Sequence, residues 1–346
     1  MKPGSKSPAA TSALGRESNI SSPLPPKRCV ASWWITPAAT ISSAAEIFYA
    51  DGAPEALESG APGQRARAWL EAVHFSAGMT ALAARRAAGW SAVESHWLVP
   101  SALVACAVAP HLRHRAHAHG GDVFLLARVP GGASLARLLC RSGAELVFAS
   151  ADLRDRFARL CGDTLESLGA RTFVQPAPYD SSLFRPRPVA ERHSLRSRLG
   201  LQGFTVLAAG RMVPIKGYDV LVNAMGHLPA RERPTLVIAG TGPEEPRLRR
   251  LATACAVDLR WPGLVSAATL AEWMAAADLF VHPSRSLSNG RSEGAPVVVR
   301  EALAAGLPVI ASALGGLPEL AGHERLTLVV PENPSALAAE IARAKA

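Results

Sequence analysis

No run of 18 or more apolar residues occurs in the sequence, which excludes an ordinary membrane-spanning helix. The first 28 residues are rich in Ser, Pro and Ala and hold no apolar stretch of signal-peptide length. They read as a disordered tail, and export is not expected. Cysteine is sparse: the five (Cys29, Cys106, Cys140, Cys161, Cys255) are odd in number and lack metal-ligand spacing. That pattern fits buried thiols in a reducing cytoplasm. There is no Asp-x-Asp pair, no helix-turn-helix signal, and no interleaving of aromatic with basic residues. Nucleic acid is therefore not the expected partner.

What is present suits a soluble two-domain protein: 346 residues, 49% hydrophobic and 19% charged. The charge is lopsided, with a net of +8 over residues 1–199 and +1 over 200–346. Such a basic half fits an anionic partner, for example a membrane surface or a phosphorylated acceptor, although high-GC codon usage would also enrich Arg.

Short apolar runs alternate with longer amphipathic stretches, which predicts parallel sheets covered by helices. In the first half, strands are expected at Cys29–Ile35, Ser91–Glu94, Ala116–His119, Glu145–Ala149 and Thr172–Gln175. Helices are expected at 65–88, Ser101–Ala109 and 151–161. Residues 175–188, rich in proline, read as the linker between an N-terminal domain (29–174) and a C-terminal domain (189–346). After the linker six strand–helix steps follow in about 140 residues, enough for one doubly wound domain.

In such a sheet, ligands lie beyond the carboxyl ends of the strands. The strand Phe204–Ala209 leads into Gly210 and Arg211, with Lys216 five residues further on a Pro/Gly-shaped loop. A guanidinium fork and an ammonium point charge at one strand exit suit a diphosphate. After Thr235–Ala239, Gly240 and Gly242 would permit close backbone approach to a ligand. After Leu279–His282 comes a polar loop to Glu293, Gly294, Ala295, Pro296 and Val297, with Glu301 inside the following helix. Pro296 suits the first position of that helix, whose free N–H groups form an anion site. Two acids beside a phosphate would repel it, so Glu293 and Glu301 read as acceptors of hydrogen bonds from sugar hydroxyls. A fourth exit, from Ser312 through Gly315 and Gly316, again sets glycines before a helix. Five of the ten histidines (His96, His111, His114, His117, His119) fall close together, but without the carboxylates or helical spacing of a metal site.

The segments GRMVPIKGYDVLVNA, AGTGPEEPRLRRLA, MAAADLFVHPSR and SEGAPVVVREALAAGLPVIASALGGLPEL resemble, in order, the donor-domain motifs of family 4 retaining glycosyltransferases. The resemblance covers roughly 200–335 and implies the GT-B architecture, two Rossmann-like domains facing across a cleft. It implies that Arg211 and Lys216 hold a donor diphosphate, Glu301 its ribose and Glu293 the transferred sugar. Residues around Val265 would then contact the base. ESHWLVPSALVA and RHRAHAHGGDVFLL look like acceptor-domain strands of the same family, and His119 matches a histidine beside the transferred sugar. The family's Gly-Gly loop after the first strand has no counterpart in residues 33–43, and the family's C-terminal crossing helix reads as short or absent.

The resulting expectation is a metal-independent enzyme that moves a sugar from a nucleoside diphosphate sugar to an acceptor hydroxyl, lipid-linked or in a polysaccharide. It would work in the cytoplasm, attached peripherally to the inner membrane face through its basic half. The alternative is a catalytically silent nucleotide-sugar-binding homologue.

Overall fold

The computed structural model describes residues 62–346 other than residue 289, with side chains from residue 69 onward. The expected tail, the strand Cys29–Ile35 and the glycine-free 33–43 stretch lie outside the described residues.

Among the described residues, two parallel sheets carry the fold. In the first, β1 (Ala92–His96), β2 (Arg113–Ala118), β3 (Glu145–Phe148) and β4 (Arg171–Val174) pair in chain order. Helices α1 (Pro62–Arg86), α2 (Leu103–Val108), α3 (Gly121–Leu126), α4 (Gly132–Arg141) and α5 (Ala151–Cys161) accompany it. Both α3 and α4 follow glycines and were not anticipated from periodicity. Helix α5 shows why the local sequence folds: the Ser150 hydroxyl accepts from the Leu153 N–H at 3.2 Å, and Gly162 ends the helix at φ 73°. The face of β2 bearing Ala116 and Ala118 packs on Leu146, Phe148, Leu153 and Phe157.

Residues 175–188 contain neither strand nor regular helix, as expected. The second domain opens with α6 (Val189–Arg198), then β5 (Thr205–Ala209), α7 (Tyr218–His227), β6 (Thr235–Ala239), α8 (Glu245–Ala254) and β7 (Leu259–Gly263). It continues through α9 (Ala267–Ala276), β8 (Leu279–His282), α10 (Val297–Ala304), β9 (Val309–Ser312), β10 (Leu326–Val329) and α11 (Pro334–Lys345). Its six strands lie in the order β10-β9-β8-β5-β6-β7, all parallel. Strand side chains alternate between two apolar layers: Val206, Ala208, Leu236 and Ile238 on one face, Leu207, Ala209, Val237 and Phe280 on the other. Burial on both faces explains why these strands read as continuous apolar runs. After β10 the chain forms a twelve-residue helix, α11, that no sequence expectation placed, capped by Asn333. Its Leu337, Ala338 and Ile341 join the core around α7 of its own domain.

Candidate functional site

The strand order reverses between β5 and β8, so their exits diverge and open a crevice. Two loops meet there. Gly217 adopts φ 62°, and a Cβ on it would lie 2.0 Å from the Pro283 carbonyl, so only glycine lets the β5 turn press against the β8 exit. The Arg285 N–H donates to the Ile215 carbonyl at 2.9 Å and fastens the same contact.

This closure brings Lys216 to Glu293, Nζ to Oε1 at 3.0 Å, with both side chains mostly buried. Burial alone would raise the Glu293 carboxyl, but the Lys216 ammonium outweighs it and holds it below the usual carboxylate range. His282 continues the buried face of β8, with Nε2 3.9 Å from the second Glu293 oxygen. Burial first, and then Lys216, push its pKa down to about 3, so the ring is neutral. Tyr218 is buried beside Gly210, and burial together with Glu293 pushes its phenol up. Its hydroxyl, His282 Nε2, Ser284 Oγ and Ser292 Oγ are buried without hydrogen-bond partners among the described residues. Ordinary cores avoid such a concentration of unsatisfied polar atoms.

Arg211 is exposed, and its guanidinium makes no ion pair among the described residues, which leaves it available to a ligand. Arg285 is different: Asp219 takes one of its nitrogens and Glu332 lies 3.8 Å from another. Sequence spacing did not separate these two arginines, because the distinction depends on α7 placing Asp219 over the loop.

Helix α10 starts at Val297, with Pro296 as its N-cap rather than its first residue, and no side chain caps it. Gly294 and Ala295 lie partly buried on the loop just before it. Glu301 sits inside α10, and burial raises its carboxyl. The glycines of the β9 exit hold this loop: a Cβ on Gly315 would lie 2.0 Å from the Glu293 carbonyl, and the Gly316 N–H donates to the Gly294 carbonyl at 2.6 Å.

Gly240 and Gly242 each make a close backbone approach within the domain. A Cβ on Gly240 would lie 2.0 Å from the Gly210 carbonyl, and one on Gly242 2.5 Å from that of Met212. They admit the Arg211 loop itself, and so support the site through the backbone. Val265 follows β7, half-buried against the layer that includes Val237 and Phe280.

The N-terminal domain supplies the opposite wall. A Cβ on Gly294 would stand 3.9 Å from both Gly120 Cα and the His119 carbonyl, and one on Gly316 2.5 Å from Ser150 Cβ. The Asp152 N–H donates to Glu319 across the same seam at 2.9 Å. His119 thus lies beside the Glu293–Gly294 loop. Its Nε2 is 3.0 Å from His96 Nδ1, and burial, then His96 and His117, lower its pKa to about 4. His96 stacks on His117 and shares a hydrogen bond with His119, and no group of three or more ligating side chains suited to a metal occurs among the described residues.

Residues 203–345 match the family described as glycosyl transferases group 1. The C-terminal domain belongs to that family. The group 1 assignment agrees with relatives over a longer span. A GDP-mannose-dependent alpha-(1-6)-phosphatidylinositol monomannoside mannosyltransferase of Mycobacterium tuberculosis is 36% identical over 250 residues, covering 69% of this chain and 63% of the relative. A D-inositol 3-phosphate glycosyltransferase of Jonesia denitrificans is 39% identical over 156 residues, 41% of this chain and 35% of the relative. The chain therefore spans less than two thirds of the length of these relatives. The crystal structure of Anabaena HepE in complex with UDP and glucose superposes with a TM-score of 0.65 at 22% identity, covering 77% of this chain and 71% of HepE. WaaG, a glycosyltransferase of lipopolysaccharide biosynthesis, gives 0.60 at 19% identity, with 83% and 75% covered. The fold is GT-B.

Proposed function

We propose that this chain is a retaining glycosyltransferase of family 4 that transfers a sugar from a nucleoside diphosphate sugar to an acceptor hydroxyl. The observation that carries the reading is the Lys216–Glu293 pair at the strand-order reversal, buried among unsatisfied polar atoms beside an uncapped helix start.

Lys216 and Arg211 bind the diphosphate, assisted by the N–H groups at the start of α10. As the glycosidic bond breaks, these charges stabilise the leaving phosphate in a cleft that excludes water, without a metal. When the phosphate takes Lys216, Glu293 is released to accept from hydroxyls of the sugar. Glu301 accepts from the ribose, and Val265 borders the base. His119 faces the transferred sugar from the other wall. With no covalent nucleophile, the leaving phosphate itself takes the acceptor proton. Domain closure would occur about residues 175–188.

GDP-mannose and a phosphatidylinositol-based glycolipid are the first substrates to try, because the mycobacterial relative is named for them. The basic first half would meet the anionic surface carrying such an acceptor, with the protein at the inner membrane face. No described helix is long and apolar enough to cross a membrane.

The test is release of nucleoside diphosphate and sugar transfer by the purified chain, offered GDP-, UDP- and ADP-sugars with inositol glycolipid vesicles. Turnover that falls by about a hundredfold or more in Lys216→Ala and Glu293→Ala supports the reading, a loss of the size expected on removing a transition-state contact. Binding without turnover would make the protein a silent homologue.

A further inference from the structure

The ends of β1 and β2 form a corner whose side chains the transfer reaction does not otherwise use. Parallel pairing sets His96 opposite His117, and their rings stack with centroids 4.8 Å apart. Behind them His117 Nε2 lies 2.7 Å from a Glu94 carboxylate oxygen. In front, beyond the end of β2, His119 turns back so that its Nε2 meets His96 Nδ1 at 3.0 Å.

The backbone around this corner is over-determined. Asp122, fully buried, accepts from the Leu98 N–H at 2.7 Å and the His119 N–H at 3.1 Å, tying the two strand ends to one carboxylate. Between them Trp97 is held at φ 78°, strained for a bulky residue, while its N–H donates to the His117 carbonyl at 2.8 Å. Such strain persists only where the surroundings enforce it.

We propose that His96 is a positioning residue for His119: by binding its Nε2, His96 fixes the ring's orientation and tautomer and leaves Nδ1 as the nitrogen presented to the sugar. His117 holds His96 in turn by stacking, and Glu94 holds His117 by a hydrogen bond. Two imidazole nitrogens sharing one hydrogen bond need one donor and one acceptor, so the proton state of His96 Nδ1 dictates the tautomer of His119. The assignment rests on the glycosyltransferase reading for its consequence in catalysis, but not for its geometry.

Two substitutions separate the effects. His96→Phe keeps a ring to stack on His117 and loses the nitrogen; His96→Asn places an amide near the lost Nδ1. The imidazole nitrogen-15 spectrum of the intact protein should show His119 as one tautomer, restored in His96→Asn and averaged in His96→Phe. The kcat for transfer should fall at least about tenfold in His96→Phe, with the donor KM within about twofold, as expected when orientation rather than binding is lost. His96→Asn should recover most of that loss, and the double variant His96→Phe with His119→Ala should be no slower than His119→Ala alone. An unchanged tautomer in His96→Phe, or additive losses in the double variant, would overturn the assignment. If the wild-type chain transfers no sugar, the function is wrong, and the nitrogen spectrum still decides the positioning role.

Discussion

The C-terminal wall of the cleft is held by charges on neighbouring loops, whereas the N-terminal wall is held by stacked and hydrogen-bonded imidazoles and one buried carboxylate. Lys216 and Glu293 each sit on the loop leaving a central strand, and glycines let those loops touch. His96, His117 and His119 instead meet because two strands pair in register. Charge gives the first wall strength and sensitivity to its partner's loss. Ring stacking gives the second orientation with little net charge, as suits a wall that would face the reacting sugar.

Lys216→Ala should break the comparison most strongly. It leaves Glu293 charged and buried, so urea unfolding should show a loss of about 3 kcal/mol, the low end for a broken buried pair because both side chains keep some exposure. Lys216→Met with Glu293→Gln should regain much of this. Gly240→Ala follows, at about 2 kcal/mol, since its Cβ would strike the Gly210 carbonyl. Gly143→Ala in the first domain, at φ 77° with open space around it, should cost only about 1 kcal/mol from backbone strain.

Acid titration sharpens the contrast further. His282 stays neutral in the folded chain down to about pH 3, while the unfolded chain protonates it near 6.5. The unfolded state thus binds the extra proton between those values, and stability falls as pH falls through that window. His282→Leu should reduce the slope by up to about 1.4 kcal/mol per pH unit, read from urea midpoints against pH. Glu293 has a depressed pKa, so its contribution is present above pH 4.5 and is lost only as pH drops below that. Smallest of all, Glu319→Ala removes an exposed contact between the domains and should cost less than about 0.5 kcal/mol. Its effect would be seen in faster hydrogen exchange at Asp152.

Much of the C-terminal site was legible because its chemistry is local. Arg211, Lys216, Glu293 and Glu301 follow strands whose apolar runs are unmistakable, and phosphate-suited residues at strand exits carry their own meaning. The glycines were legible as close approaches but not for what approaches them: only the fold shows that Gly240 and Gly242 meet the Arg211 loop. Helix α11 was missed because its alanine-rich pattern follows a short strand with no distinct periodicity. In the first domain β2 was placed three residues late, since Arg113, His114 and Arg115 look like surface residues. That displacement hid the register setting His96 beside His117. His96 carries no local signal of its own; its position emerges from pairing across 21 residues of chain.

The central claim is that the β5–β8 crevice binds a nucleoside diphosphate sugar through Lys216. Calorimetric titration of the full chain with GDP-mannose, UDP-glucose and an ADP-sugar tests it directly. The account predicts saturable binding of at least one donor at one equivalent, weakened at least about tenfold in Lys216→Ala, the worth of one charge-assisted phosphate contact. Binding of equal strength in the variant, or no heat and no binding with any of the three donors, would contradict it.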